Sequence, residues 1–310
     1  MRIHKNKPVF FVEQNSERIL PELQKKFSTP DYDIRKIGNG AAGVVYRVSN
    51  THVVKVLPAK SYLSHLERYK QTFTMFNRVY SQNERMKSYD NFYAYSSFTL
   101  SDLKEVDTSE PLFIYEKMEY MPTDLSQFAK TTDWDVHTFI DIMCQVMHGI
   151  RVFHRIRYIL TDLKLQNIMY NPETKRIKLI DFNESYNVML KNTNPMHTYY
   201  NRNVVKHTTK EDVWRLGIVM IGFIIPRVDA YLERNGKPTL KRFIKELRTA
   251  VGRKPPTKYM FSTMVEPYLD EMRNVIQKIC KTDKTKLKWS RIFRLIRHTM
   301  RDDPDRRPCI

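Results

Sequence analysis

Cysteines and long hydrophobic runs are scarce in this sequence of 310 residues. The three cysteines, Cys144, Cys280 and Cys309, lack the paired spacing of a metal site and cannot form an even-numbered disulfide framework. No apolar run approaches the ~20 residues that a membrane span needs, and the segment from Met1 to Val12 is too polar for a signal-peptide core. We therefore expect an intracellular protein, in the cytoplasm or nucleus, with no membrane partner.

Acidic residues are also in the minority, because 34 Asp and Glu face 53 Lys and Arg, for a net charge of +19. Net charge informs about partners rather than fold. It indicates either a well-solvated basic surface or an acidic partner, such as an acidic protein or a nucleic-acid-containing assembly. The basic residues are densest in Lys281–Arg297, where apolar residues recur at helical spacing. This pattern predicts first an amphipathic helix with a solvated basic face, and only second a phosphate-binding surface.

Glycine is rare too, yet three of the eight glycines, Gly38, Gly40 and Gly43, lie within six positions in the pattern G-x-G-x-x-G, with Asn39 between the first two. The pattern alone is weak, because it also marks dinucleotide sites, which need a helix after the third glycine. Here Val44–Val48 has strand character instead. A glycine turn between two strands lets backbone amides approach phosphates. The alternative is an ordinary glycine-containing hairpin.

The pattern along the chain predicts a strand-rich first third and a helix-rich remainder. Residues 1–32 form an N-terminal extension with a predicted helix from Gln14 to Phe27. Alternating β-branched sequence then predicts antiparallel strands, residues 59–88 have a helical pattern, and residues 92–121 return to strand character. We expect an α+β fold of two lobes, a small antiparallel-sheet lobe and a mainly helical lobe, with the junction at residues 119–123.

Two further groups of residues are candidates for a functional site, in addition to the glycines. Lys55 lies in Val53-Val-Lys-Val56; alone it would more often be a solvent-facing strand residue, but beside the glycine loop it can place a point charge on phosphates. The segment D-L-K-x-x-N with D-F fourteen positions later supplies Asp162, Lys164, Asn167 and Asp181. These are a base, a cation and two oxygen ligands for a hard cation such as Mg²⁺. Helix capping by the Asp-Leu-Lys run is the alternative.

These motifs, in this order, resemble those of eukaryotic-type protein kinases over residues 33–310. Three further matches agree: the D-x-W-x-x-G run that starts at Asp212, the D-P-x-x-R-P run with Arg307, and His154, eight residues before Asp162. In the family, the residue matching Asp212 braces the backbone of the catalytic loop. The motifs are similar in style to those of kinases of large DNA viruses, such as baculoviruses, and a viral protein would be expected in the host cell or the virion.

The resemblance implies a role for each matching residue. The lobes would span residues 33–118 and 124–310, joined by a hinge at residues 119–123. Asp162 would act on the attacking hydroxyl and Lys164 on the transferred phosphoryl group, while Asn167 and Asp181 would bind Mg²⁺, or Mn²⁺ in its place. The implied ATP-binding residues are Gly38, Asn39, Gly40, Gly43, Val45, Lys55, Met118, Glu119, Met121 and Asp124.

The sequence departs from the family pattern at several motif edges. Leu160 and Thr161 replace the histidine and arginine before the catalytic aspartate, and Asn183 replaces the glycine of D-F-G. The resemblance then implies a non-RD kinase, whose activity we expect not to be switched by activation-loop phosphorylation. No A-P-E run is visible, so Arg307 would lack its usual acidic partner. In the family, a glutamate on a helix of the small lobe pairs with the lysine that matches Lys55. Glu67 is the nearest candidate for this glutamate, and it is not a clear match.

The resemblance therefore implies an ATP- and Mg²⁺-dependent serine/threonine protein kinase acting on protein substrates, and D-L-K-x-x-N favours serine/threonine over tyrosine. Two other classes stay open. One is a pseudokinase that keeps the fold as a binding module, which the broken motif edges favour. The other is a basic nucleic-acid-associated protein on a kinase fold, which the charge favours.

Overall fold

The computed structural model describes residues 8–29, 31–39, 43–60, 95–104, 111–131, 134–155, 157–160, 162–181, 186–187, 209–240, 243, 261 and 265–309, with backbone only at 95–98 and 186–187. The chain divides into two compact units, Met1–Met121 and Pro122–Ile310. The first is built on an antiparallel sheet and the second mainly on helices, so the predicted α+β class with two lobes is confirmed. None of the described helices is both long and apolar enough to cross a membrane.

A five-stranded antiparallel sheet forms the centre of the first unit. Its strands are β1 (Arg35–Asn39), β2 (Val44–Arg47), β3 (His52–Pro58), β4 (Tyr95–Leu100) and β5 (Phe113–Glu119), in the spatial order β1-β2-β3-β5-β4. The β-branched runs favour strands because their side chains pack well on a pleated surface. The Ser49 hydroxyl closes the turn between β2 and β3 by accepting bonds from the Thr51 and His52 amides.

Two helices cover one face of this sheet, α1 (Pro8–Gln14) and α2 (Ser16–Phe27). The sequence predicted a single helix from Gln14 to Phe27. Apolar side chains of α1 and α2 pack with apolar side chains of the sheet in one core cluster. Its members are Val12, Ile19, Leu23, Val44, Tyr46, Val48, Val54, Val56, Leu112, Phe113 and Tyr115. Strand side chains alternate between faces, so the residues between these, among them Lys55 and Glu116, lie on the opposite face.

The second unit contains short strands and, among its described residues, five α-helices. The strands are β6 (Thr123–Asp124), β7 (Tyr158–Ile159), β8 (Ile168–Asn171), β9 (Arg176–Leu179) and β10 (Tyr186–Asn187). The helices are α3 (Leu125–Thr131), α4 (Val136–Arg155), α5 (Thr209–Arg234), α6 (Glu266–Ile279) and α7 (Asp283–Thr299). Strands β6, β8 and β9 form one antiparallel sheet, and β7 pairs with β10.

Aromatic side chains hold the helices of the second unit together. Trp134 and Phe139 contact Phe223 of α5, with ring centroids 4.7 and 5.7 Å apart, and Phe139 also contacts Trp289 of α7 at 5.2 Å. Helix α7 is the amphipathic helix that the basic segment predicts, with Trp289, Ile292, Phe293 and Ile296 buried. Leu287, which belongs to the same apolar pattern, is instead 55% exposed.

Candidate active site

The glycine segment joins the edge strand β1 to its neighbour β2 in the first unit. Gly38 lies opposite Val45 and Asn39 opposite Val44 in the strand register. Gly40 lies outside the described residues. Gly43 passes so close to β3 that a Cβ atom would lie 2.1 Å from the Val56 carbonyl oxygen, whereas a Cβ at Gly38 would meet nothing within 4 Å. The strand after the third glycine agrees with the expected strand–turn–strand arrangement.

This difference between the glycines gives a first prediction. Gly43→Ala should lower the free energy of unfolding by about 1–3 kcal/mol, because a backbone carbonyl on a central strand cannot move away as a flexible side chain can. Urea unfolding followed by circular dichroism measures the change. Gly38→Ala is the matched control and should stay within about 0.5 kcal/mol of the unsubstituted protein. Equal effects at the two glycines would contradict the close approach at Gly43.

Lys55 is buried, not solvent-facing, with only 9% of its surface exposed. It stands in a transverse row across the sheet, opposite Val45 on β2 and Glu116 on β5. The Glu116 carboxylate is fully buried, and its Oε2 lies 3.9 Å from Lys55 Nζ. That distance is an ion pair rather than a hydrogen bond. Sequence reasoning did not find Glu116 as a partner of Lys55.

The predicted hinge begins at the end of β5. Met118 and Met121 are buried and Glu119 is exposed. In the second unit, the Asp124 carboxylate accepts hydrogen bonds through Oδ1 from the amides of Ser126 and Gln127, at 2.8 and 3.1 Å. Asp124 therefore caps α3, because these amides have no partner inside the first helical turn. The ATP contact implied for Asp124 would therefore have to use its other oxygen, Oδ2.

The D-L-K-x-x-N segment forms a compact loop that ends in one 3₁₀ turn before β8. The Asn167 amide nitrogen donates to the Asp162 carbonyl and to Asp162 Oδ2, at 3.0 and 3.1 Å. Lys164 Nζ lies 2.6 Å from the same Oδ2. Asn167 is buried, whereas the Asp162 side chain is 32% exposed. The loop therefore fixes the orientation of a carboxylate that remains reachable.

Asp181 lies two residues after the end of β9, beside this loop. The Ile180 amide donates to the Asn167 carbonyl at 3.0 Å, which ties the two segments together. Asp181 has φ +64°, in the left-handed region, which costs a non-glycine residue about 1–3 kcal/mol and recurs at functional sites. A small open pocket is lined by three polar and four apolar residues: Asp162, Asn167, Asp181, Leu160, Leu163, Leu179 and Ile180.

A buried carboxylate braces the start of the loop. Asp212 of α5 is fully buried, and its Oδ2 accepts the Leu160 amide at 2.9 Å and lies 2.9 Å from His154 Nε2. Three elements of the second unit therefore meet at one oxygen: α4, the strand end after β7, and α5. This is the backbone contact that the resemblance implies for Asp212.

The profile of the family described as "Protein kinase domain" matches residues 32–309. The chain belongs to the protein kinase family. It is 24% identical over 201 residues to cyclin-dependent kinase B2-1 of Arabidopsis thaliana, a match that covers 60% of this chain and 62% of the relative. Cyclin-dependent kinase F-3 of Oryza sativa subsp. japonica is 27% identical over 171 residues, covering 54% and 35%. Mitogen-activated protein kinase 12 of Danio rerio is 25% identical over 220 residues, covering 67% and 55%.

The chain thus spans between 35% and 62% of the length of these relatives. The match to the protein kinase domain over residues 32–309 shows the family, and the identities of 24–27% to these relatives extend to neither substrate nor regulation.

The kinase holds Arg307 with backbone groups. The guanidinium is buried and donates to the carbonyls of Arg301, Lys210 and Asp302, at 2.8, 3.1 and 3.4 Å. Burial lowers the pKa of Arg307 from its ordinary value, against the opposing effect of the acidic residues Asp302, Glu211 and Asp303. Carbonyl oxygens therefore satisfy Arg307 in the described part of the chain, and residues 188–208 lie outside that part.

Several residues at the motif edges also lie outside the described residues: Thr161, Phe182, Asn183 and Glu67. The expectations about the lost arginine, the D-F-G turn and the helix glutamate therefore remain predictions. No sequence motif marks Glu116. Strand alternation alone would put it on the same face of the sheet as Met118.

Proposed function

We propose that this kinase transfers the γ-phosphoryl group of ATP to serine or threonine hydroxyls of proteins, with Mg²⁺. The observation that carries the proposal is the geometry around Asp162, whose carboxylate is oriented by Asn167, paired with Lys164 and left accessible. A helix-capping role would leave the carboxylate bonded to helix amides, as Asp124 is. Lys164, two residues after the aspartate, supports serine/threonine specificity by its resemblance to that class.

In the proposed step, the substrate oxygen attacks the γ-phosphorus and the bond from that phosphorus to the β–γ bridging oxygen breaks. The hydroxyl proton passes to Asp162, and the products are a phosphoester and ADP. Lys164 offsets negative charge on the group in transfer, and the phosphates bind the glycine segment and Lys55. Catalysis would rest mostly on positioning and charge neutralisation. Hydrogen bonds within the loop, which hold the Asp162 carboxylate in one orientation, suit that role.

The residues present fit a magnesium ion. The Asn167 amide nitrogen donates to Asp162, which leaves its carbonyl oxygen turned away from that carboxylate. Asn167 and Asp181 line the same pocket, and an amide oxygen and a carboxylate are the hard oxygen ligands that Mg²⁺ or Mn²⁺ takes, usually together with phosphates and water. When bound, the cation would neutralise charge on the β- and γ-phosphates.

The direct test is transfer of labelled γ-phosphate to a generic basic protein and to the kinase itself, in Mg²⁺ and in Mn²⁺. The expected result is labelled phosphoserine or phosphothreonine. Phosphotyrosine alone would contradict the serine/threonine assignment. If the unsubstituted protein transfers no more phosphate than Asp162→Asn in either metal, the kinase proposal fails and the pseudokinase alternative takes its place.

Removing the Asp181 carboxylate tests the metal assignment separately. Asp181→Asn should reduce the thermal shift that ATP produces in Mg²⁺, because the amide carries no charge for the cation, while the shift in excess chelator should stay the same. Differential scanning fluorimetry measures both. Asp305→Asn, at an exposed position, is the control and should change neither shift. An unchanged Mg²⁺-dependent shift in Asp181→Asn would place the metal elsewhere.

Further partners remain a prediction from charge. The basic residues of α7 that remain exposed are Lys284, Arg291 and Arg294, and they would attract an acidic protein or a nucleic-acid-containing assembly. A viral source remains a prediction from the form of the motifs, since the relatives compared above come from two plants and a fish.

A further inference from the structure

The centre of the sheet in the first unit carries a buried pair of opposite charges. Lys55 of β3 and Glu116 of β5 are direct partners in the antiparallel register, and the Nζ–Oε2 distance is 3.9 Å. Both side chains lie on the face opposite to helices α1 and α2. Glu116 is fully buried and Lys55 is 9% exposed, so neither charge is screened much by solvent.

A fully buried carboxylate is costly unless a cation or hydrogen-bond donors compensate it. A sheet of this composition could place an apolar residue at position 116, as it does at Ile114 and Met118 on the same face and strand. The position of the charge is also rigid. Strand β5 pairs with β3 on one side and with β4 on the other, and Glu116 takes part in both registers, opposite Lys55 and Phe98.

We propose that Glu116 is a positioning residue for Lys55: a strand-borne carboxylate that draws the ammonium to one place on the sheet. The inference rests on the proposed function, in which Lys55 binds phosphates of ATP. Protein kinases generally supply this acid from a helix, an element that can shift. An acid built into the neighbouring strand fixes the lysine through the sheet itself, and it can do so alongside any other acid that reaches Lys55.

This role differs from a purely structural one in what it predicts. A structural Glu116 would contribute to folding, and its loss would harm the enzyme to the same degree whether or not Lys55 is present. A positioning Glu116 acts only through Lys55. The two roles are therefore separated by a double-mutant cycle, in which the effect of one substitution is measured in the presence and absence of the other.

The cycle uses Glu116→Gln, Lys55→Met and the double variant, with Glu173→Gln in an exposed turn as the control for loss of one negative charge. For each protein, kcat and KM for ATP, the ATP dissociation constant and the unfolding midpoint are measured. Glu116→Gln should lower kcat/KM by about 10- to 100-fold, since a misplacement of about 1 Å costs that much. In the Lys55→Met background the same change should cost less than about twofold. Glu173→Gln should resemble the unsubstituted protein.

Equal losses in both backgrounds would overturn the proposal, and so would full activity of Glu116→Gln. If Glu116→Gln does not fold, Glu116→Asp replaces it in the cycle, because it keeps the charge but retracts it by about one bond length. If the unsubstituted protein shows no transfer, the proposed function has failed, yet the ATP dissociation constants still decide this inference. Weaker ATP binding in Glu116→Gln that disappears when Lys55 is absent supports it, and additive effects refute it.

Discussion

Replacing Asp162 by asparagine is expected to lower phosphoryl transfer by about 10²- to 10⁴-fold, the range that a positioned proton acceptor contributes. Asparagine matches aspartate in shape, so its side-chain oxygen can still accept the Asn167 amide that now lies 3.1 Å from Asp162 Oδ2. The change therefore removes the charge and basicity while leaving the loop in place. The initial rate of phosphate transfer at saturating ATP measures the effect, together with the unfolding midpoint.

The structure offers two controls for this result. Asp305→Asn removes a charge from an exposed aspartate and should leave the rate unchanged. ATP binding should also be nearly unchanged in Asp162→Asn, because Asp162 is assigned to the hydroxyl and not to the nucleotide. An Asp162→Asn protein that keeps more than about a tenth of the rate would remove the proton acceptor from this mechanism. A fall in the unfolding midpoint would show that the carboxylate is structural.

The geometry of the loop that carries Asp162 could be predicted from the sequence because its contacts are short-range. Asp162, Lys164 and Asn167 lie within six residues, and the bonds that join them close inside that segment. A local motif therefore specifies the local geometry. The glycine segment is similar, since the need for glycine at position 43 arises from the neighbouring strand of one hairpin. Such elements need no knowledge of how distant parts of the chain meet.

The environment of Lys55 could not be predicted in this way. Alternation along Val53–Val56 assigns Lys55 to one face of a strand, but it cannot tell whether that face meets solvent or protein. Its partner Glu116 lies 61 positions further along the chain, and the strand register that joins them depends on a crossover from β3 to β5. The resemblance places an acidic partner of Lys55 on a helix, and the nearest helix candidate, Glu67, lies outside the described residues.

The attachment of the extension was likewise visible only in the fold. Glu22 of α2 is buried, and its carboxylate accepts hydrogen bonds from the Ser101 hydroxyl, the Asp102 amide and the Tyr115 hydroxyl, at 2.7, 2.5 and 2.6 Å. Lys26 Nζ lies 3.1 Å from the same carboxylate. The donors other than Lys26 are 79 to 93 positions away in sequence. No pattern inside residues 1–32 indicates that one glutamate ties them to β4 and β5.

Glu22→Gln should therefore lower the free energy of unfolding by about 2–4 kcal/mol, because an amide replaces one accepting oxygen by a donor and leaves buried donors without an acceptor. Urea unfolding at pH 7 measures the change. Glu17→Gln removes a charge from an exposed position of the same helix and should cost less than about 1 kcal/mol. Similar losses at the two positions would show that Glu22 acts only through the charge of the helix and not through its bonds to the sheet.

The pH dependence of this loss checks the same contact independently. Burial alone would raise the pKa of Glu22, but the bonds from Tyr115, Asp102 and Ser101 and the ammonium of Lys26 outweigh it, so the pKa lies below its ordinary value of 4.5. A carboxylate with a lowered pKa stabilises the fold fully above its unfolded pKa, and this contribution is lost as the pH falls through the folded pKa. The stability difference between the unsubstituted protein and Glu22→Gln should therefore narrow below about pH 4.5. Other carboxylates titrate in both proteins and cancel in the difference, so a gap that stays constant down to pH 3 would mean that Glu22 is not held as an ionised acceptor.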